Sequence, residues 1–218
     1  MKAQLSIAAV ISQMVLFPGG DVVRERVVAK PAVATVDGSR CAVAARTAMA
    51  TLLRADPGRI GFHDYGDCSN RAADSAGLFV ESIRDARNRA QDGWVYKVGR
   101  RLATAGAADP AGPFGDGRLR AGQRVLWFYC RQREAGTCQR SLEIEAAVDG
   151  RRLSVTVTGY DDAGDGVAVR GATVVAGDRR ASTDADGRAT LTLKPGRYWV
   201  HAIKRGTSRS FSERVTIR

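Results

Sequence analysis

Histidine and asparagine are scarce: the chain's 218 residues include only His63 and His201, and only Asn70 and Asn88. Catalysis by a histidine base, or a histidine-rich metal cluster, therefore has little material to draw on. No GxSxG, HExxH or phosphate-loop motif is present. A Lys–Asn isopeptide crosslink inside the C-terminal third is excluded because no asparagine lies there. Long apolar runs are missing as well. The best of them, Ala3 to Phe17, is broken by Gln4, Ser6, Ser12 and Gln13, and a membrane span needs about 20 apolar residues. No transmembrane segment is expected. That run follows Lys2, as in a secretory signal, but no A-x-A cleavage site follows it. Two readings of residues 1–20 stay open: a signal peptide or disordered start, or a stretch that merely precedes the first strand.

Lysine is rare too, 5 against 29 arginines, a bias that with abundant Ala and Gly fits a GC-rich bacterial genome better than a recognition surface. The net charge is +11. It is spread out, with 21 basic against 16 acidic residues up to Gly150 and 13 against 7 beyond. Nucleic-acid binders concentrate basic residues on one element, because phosphate neutralisation is local, so a nucleic-acid partner is disfavoured. Anionic cell-wall polymers remain compatible partners.

Four cysteines, Cys41, Cys68, Cys130 and Cys138, match neither a zinc ribbon nor a CxxC redox pair. Three connectivities are open, as is a set of four reduced thiols. The expected pairing is Cys41–Cys68 and Cys130–Cys138, the latter flanking a polar stretch between two strand-like runs. Disulfides would place the chain in an oxidising compartment.

The segment from Gly93 to Cys130 holds two aromatic strand-like runs separated by a long Gly/Pro/Ala loop. Trp94, Tyr96 and Val98 alternate with Val95 and Lys97, and Val125, Trp127 and Tyr129 with Leu126 and Phe128, the period of sheet strands. A structureless connection this long inside a domain points to function or to an irregular extension. The order GW-x-Y-x-V-G, Gly-rich excursion and VLWFY resembles the transcobalamin-like C-terminal domain, over about residues 21–147. Two positions depart from it: no Asn stands near Gly99, and Gln123 replaces the usual acidic residue. The resemblance implies a small β-grasp module, in which a sheet wraps one helix. It also implies that Trp94, Tyr96 and Trp127 are ligand-binding candidates, that the loop from Arg101 to Arg120 caps a flat ligand, and that a corrinoid is the first ligand to consider. Against this stands plain core packing, which accounts for most of an aromatic set on alternating strands.

Elsewhere in this module, VVRERVVA (22–29) reads as a strand with 32–36 as its hairpin partner. An apolar stripe of Ala45, Ala48, Met49, Leu52 and Leu53 predicts a helix over 42–54, with Ser39 as its cap. Residues 59–66 and 77–83 read as short strands, 85–91 as a polar connector, and SLEIEAAV as the last strand. Asp149-Gly150 marks the expected boundary.

Beyond it, LSVTVTGY, GATVVAGD, RATLTLKP, RYWVHAIK and SERVTIR alternate apolar and polar residues between Gly, Asp and Pro turns, the pattern of a small β-sandwich. Gly171, the TDADG turn (Thr183 to Gly187), Pro195-Gly196 and Tyr198 resemble the carboxypeptidase regulatory-like domain, a transthyretin-like sandwich, over about 151–218. Asp186-Gly187 suits a tight hairpin and Pro195-Gly196 a type II turn.

Chemistry-bearing candidates are few. His63 beside Asp64 reads as a loop contact before a catalytic base, and His201 as a strand residue. Asp161, Asp162 and Asp165 read as a solvated turn before a calcium site, lacking EF-hand spacing. The expected fold class is α+β followed by all-β: residues 21–149 a β-grasp domain and 150–218 an Ig-like or transthyretin-like sandwich. The expected function is a non-enzymatic, secreted or surface-exposed bacterial binding protein without cofactor, metal or catalytic residues, whose partner is a cell-envelope component or another protein. The alternative is a small-ligand carrier, with corrinoid first. The expected location is extracellular or at the cell surface.

Overall fold

The structure, a computed structural model, describes residues 9–66, 68–133 and 136–218. The chain is predominantly β, with one α-helix of eight residues among the described residues. It divides into two compact units, Met1–Arg131 and Gln132–Arg218.

The first unit runs β1 (Val10–Leu16), β2 (Val22–Val28), β3 (Ala32–Val36), β4 (Ser39–Val43), α1 (Ala48–Ala55), β5 (Ile60–Asp64), β6 (Leu78–Ile83), β7 (Ala86–Arg87), β8 (Gly93–Val98), β9 (Arg101–Leu102) and β10 (Arg124–Cys130). Its main sheet has the order β2-β1-β10-β8-β9. β1 and β10 lie parallel at its centre, with Val15 opposite Trp127, and the other pairs are antiparallel. Because the side-chain period is two, Ile11 and Val15, Trp94, Tyr96 and Val98, and Val125 and Trp127 enter one core. α1 packs on that core. Thr47 caps it by accepting the Ala50 N–H at 3.2 Å, and Met49 and Leu52 are fully buried, each contributing about 1.5–3 kcal/mol of burial. Gln13 on β1 donates its amide to the Thr51 carbonyl, tying helix to sheet. β3 and β4 form a separate hairpin, and β5, β6 and β7 a three-stranded sheet.

The second unit comprises β11 (Ser141–Asp149), β12 (Arg152–Tyr160), β13 (Gly166–Ala168), β14 (Thr173–Ala176), β15 (Arg179–Ser182), β16 (Arg188–Thr192), β17 (Gly196–Ile203) and β18 (Glu213–Ile217). One sheet joins β11, β12, β13 and β16, and the other has the order β15-β14-β17-β18. Leu142, Ile144, Val155 and Leu191 from the first, and Val174, Val200, Ala202 and Ile217 from the second, fill a single core. Thr183 completes it: its buried hydroxyl accepts the Ala172 N–H and donates to the Val169 carbonyl.

Several sequence expectations are corrected. Residues 10–16, within the stretch left open between a signal peptide or disordered start and a lead-in to the first strand, themselves form the strand beside β10, with Ile11, Met14 and Val15 fully buried. The expectation of a signal peptide or disordered start over residues 1–8 concerns a stretch outside the described residues. β2 pairs with β1, not with β3, and β3 pairs with β4. The helix expected over 42–54 begins at Ala48, because Cys41 to Val43 are spent on the ladder with β3. The cap is therefore Thr47 and not Ser39. The connector 85–91 contains the short strand β7. β11, expected to end the first module, forms a hairpin of nine residue pairs with β12 in the second unit, so Asp149-Gly150 leads into that hairpin's turn, Gly150-Arg151, and marks no boundary.

Candidate functional site

Strand alternation brings the three candidate aromatic residues together. Trp127 stands opposite Tyr96 across the β10–β8 ladder, and Tyr129 opposite Trp94. Tyr96 and Trp127 stack, with centroids 5.1 Å apart and planes at 28°. Trp94 meets Tyr129 and Phe17 edge-on. Each such pair contributes about 0.5–1.5 kcal/mol beyond area burial.

Trp94, Tyr96 and Trp127 line one cleft of about 150 Å3. Leu78 to Val80 of β6 form one wall and Leu102 to Ala107, at the start of the long loop, another. Phe79 is 43% exposed and lies at the rim.

The polar atoms of this aromatic set differ in their satisfaction. The Trp94 indole donates to the Ala86 carbonyl at 2.7 Å, and its backbone N–H is held by the Asn88 side chain. The Tyr96 hydroxyl donates to the Ala105 carbonyl at 3.0 Å, fixing the loop wall to the stacked pair. Burial, with a smaller contribution from the Asp109 carboxylate, pushes the Tyr96 phenol well above its ordinary value, so it stays a neutral donor. The Trp127 Nε1–H has no hydrogen-bond partner among the described residues, although the residue is only 1% exposed. A buried donor left unpaired costs about 1–3 kcal/mol.

The long loop is ordered by its own backbone. Thr104 and Ala105 donate to the Pro113 carbonyl, Gly117 to Ala111, and Leu119 to Arg46. The Met49 N–H, one of the helix-start donors that α1 cannot pair internally, bonds the Ala107 carbonyl at 2.8 Å. Ser75 donates its hydroxyl to Ala108, and the Arg101 guanidinium lies over the Phe114 ring. Ala108 and Leu119 are fully buried. Only the first part of Arg101–Arg120 therefore borders the cleft, and the rest folds back on the core.

Cys41 pairs with Cys68 across a Cα–Cα distance of 5.2 Å, joining β4 to the turn after β5. Cys130 and Cys138 are also disulfide-bonded, so all four cysteines are oxidised. The catalytic candidates separate. Asp64 spends its carboxylate on the backbone N–H groups of Gly66 and Cys68, while the neighbouring His63 ring packs edge-on against Tyr65. His201 lies on β17 opposite Val175. Asp161 accepts the N–H groups of Gly164 and Asp165 and the Arg140 guanidinium, and the Asp165 N–H foremost holds its carboxyl below the usual range. Asp162 accepts the Cys138 N–H. These carboxylates organise turns. Sequence reasoning named the loop wall, within Arg101–Arg120, but missed the β6 wall: LFVESI shows only a strand period, and nothing local places it beside Trp94. Comparison with protein-family models, with curated proteins and with solved structures finds no significant match.

Proposed function

We propose that this chain is a non-enzymatic binding protein of an extracellular or surface-exposed compartment, and that its aromatic cleft takes one apolar or aromatic side chain of a macromolecular partner. The observation that carries the reading is the cleft itself, about 150 Å3, lined by Trp94, Tyr96 and Trp127 between apolar walls. An apolar or aromatic side chain entering there would fill the space against those rings. The volume fits this scale, since an apolar cavity of roughly 150 Å3 holds a benzene ring. Drug-sized ligands occupy pockets of about 300–1,000 Å3, so a whole corrin macrocycle would lie outside the cleft. That favours a partner side chain over a corrinoid carrier. No helix among the described residues is long and apolar enough to cross a membrane. The disulfides fit an oxidising compartment.

The sheet order, with the first and last strands parallel at its centre and a helix on one face, supports reading the first unit as a β-grasp module of the transcobalamin-like kind. Two sheets around one core support a carboxypeptidase regulatory-like sandwich in the second. The test is titration of the oxidised full chain with N-acetyl-phenylalanine amide, read by tryptophan fluorescence. A saturable response that weakens about tenfold in Trp127→Ala, which removes ring surface lining the cleft, is expected. No saturable response to this probe would sink the reading. A saturable one-to-one response to cobalamin, lost on Trp94→Phe, would replace it with the carrier.

A further inference from the structure

The two sheets of the second unit bury their inner faces together, and the outer face of β15-β14-β17-β18 follows from their parity. Val174, Ala176, Val200, Ala202 and Ile217 enter the core. Residues of the opposite parity therefore stand on the other face: Arg180 on β15, Val175 on β14, Arg197, Trp199 and His201 on β17, and Arg214 on β18.

Trp199 is the outlier there. It is 61% exposed, the most exposed tryptophan of the chain, while Trp94 and Trp127 are buried. Arg214 stands directly opposite it in the β17–β18 register, and Arg197 lies two residues along the same strand on the same face. Arg180 is joined to this region through Val175 and His201, neighbours in successive ladders. All three arginines are exposed. Their side chains take part in no hydrogen bond or ion pair among the described residues. With strands about 4.8 Å apart and about 3.4 Å per residue, the three guanidinium groups surround the indole within roughly 15 Å. Glu213 shares the inward parity of Val215 and Ile217, and Asp178 sits in the β14–β15 turn, so neither neutralises this face.

An exposed indole on a flat sheet offers a platform for a ring face, and unpaired guanidinium groups around it offer sites for carboxylate or phosphate oxygens. We propose that this face is a second binding site, distinct from the aromatic cleft, for an anionic polysaccharide: a sugar ring stacks on Trp199 while acidic groups of neighbouring residues pair with Arg197, Arg214 and Arg180. A single-stranded nucleic acid shares the charge, but its binding uses successive aromatic platforms, and this face has one exposed aromatic ring. The two disulfides also fit a compartment where glycans are the abundant polyanions.

The test uses the oxidised full chain with polygalacturonate, dextran and poly(dT) as probes, read by Trp fluorescence and by retardation in affinity gels. Polygalacturonate is expected to bind, with dextran at least tenfold weaker. Trp199→Ala is expected to weaken it roughly tenfold, the loss of a central anchor. Arg197→Ser and Arg214→Ser are expected to weaken it severalfold and flatten its salt dependence, while Arg188→Ser on the other sheet leaves it unchanged. Unchanged urea midpoints identify the variants as folded, and Trp199→Phe, which keeps a ring, should retain more binding than Trp199→Ala. Absence of polygalacturonate binding, equal binding of dextran, tighter binding of poly(dT), or an equal loss in Arg188→Ser would each overturn the proposal.

Discussion

Replacing Gly112 by alanine tests how the long loop holds the cleft wall. Gly112 has φ +95°, and a Cβ there would lie 1.9 Å from the Gly117 carbonyl oxygen and 2.4 Å from its carbon. Both obstacles are backbone atoms, so no side chain can swing aside. Gly115, three residues on, also has positive φ, +76°, but a Cβ there meets nothing within 4 Å. Gly115→Ala thus measures backbone strain alone, about 1–2 kcal/mol. Gly112→Ala adds displacement of the segment that makes the Gly117-to-Ala111 and Gly115-to-Gly112 hydrogen bonds, at about 1 kcal/mol each. The expected total is about 3–4 kcal/mol by the same reasoning. Because Thr104 and Ala105 hang from the carbonyl of adjacent Pro113, the cleft wall should move with it. Urea unfolding followed by tryptophan fluorescence gives both free energies, and N-acetyl-phenylalanine amide binding reports the wall. If Gly112→Ala falls within about 0.5 kcal/mol of Gly115→Ala, a difference typical of neutral surface changes, the steric argument is refuted.

Three further outcomes follow from particular contacts. The Cys41–Cys68 bridge spans 27 residues, and its removal in a Cys41→Ala/Cys68→Ala protein should cost about 3.6 kcal/mol in the chain-entropy account, measured by denaturant midpoint; a loss under about 1 kcal/mol would contradict that account. Tyr96 has a folded-state pKa above its unfolded value near 10, so its stabilising contribution is complete below pH 10 and is lost as pH rises beyond it. Wild type should therefore lose stability about 1.4 kcal/mol per pH unit more steeply than Tyr96→Phe above pH 10, and parallel curves would refute the burial of that phenol. Thr183→Val keeps the shape of the side chain but leaves the Ala172 N–H and Val169 carbonyl without the hydroxyl, and should cost about 2–3 kcal/mol in the second unit's unfolding transition; a neutral effect would show that water replaces it.

The reversal at TDADG was legible because its chemistry is local, although it leads from β15 into β16 of the other sheet and closes no hairpin, and Gly196, at φ +156°, opens β17 instead of completing the expected type II turn. Gly187 has φ +74°, and Asp184 accepts the N–H groups of Asp186 and Arg188, as the TDADG sequence requires. The strands β2, β6, β8, β10, β12 and β17 were legible from a two-residue period. Helix α1 was half legible: Cys41 to Val43 carry an apolar pattern that suits helix or strand, and only β3, lying alongside, decides for strand. In the candidate site, Trp94, Tyr96 and Trp127 could be named from alternation, but not that the Trp127 indole would lack an acceptor among the described residues.

The sequence by itself determined the β character of most segments, where the chain reverses, and which aromatic residues share a face. Those properties depend on neighbours along the chain. Only the tertiary structure decided that Val10–Leu16 lies between β2 and β10, that Ser141–Asp149 belongs with the second core, and that Leu78–Val80 and Leu102–Ala107 close over the aromatic strands. Side-chain periodicity fixes which residues face inward, whereas the choice of neighbouring strand is settled by long-range pairing and shape, to which the local pattern is blind.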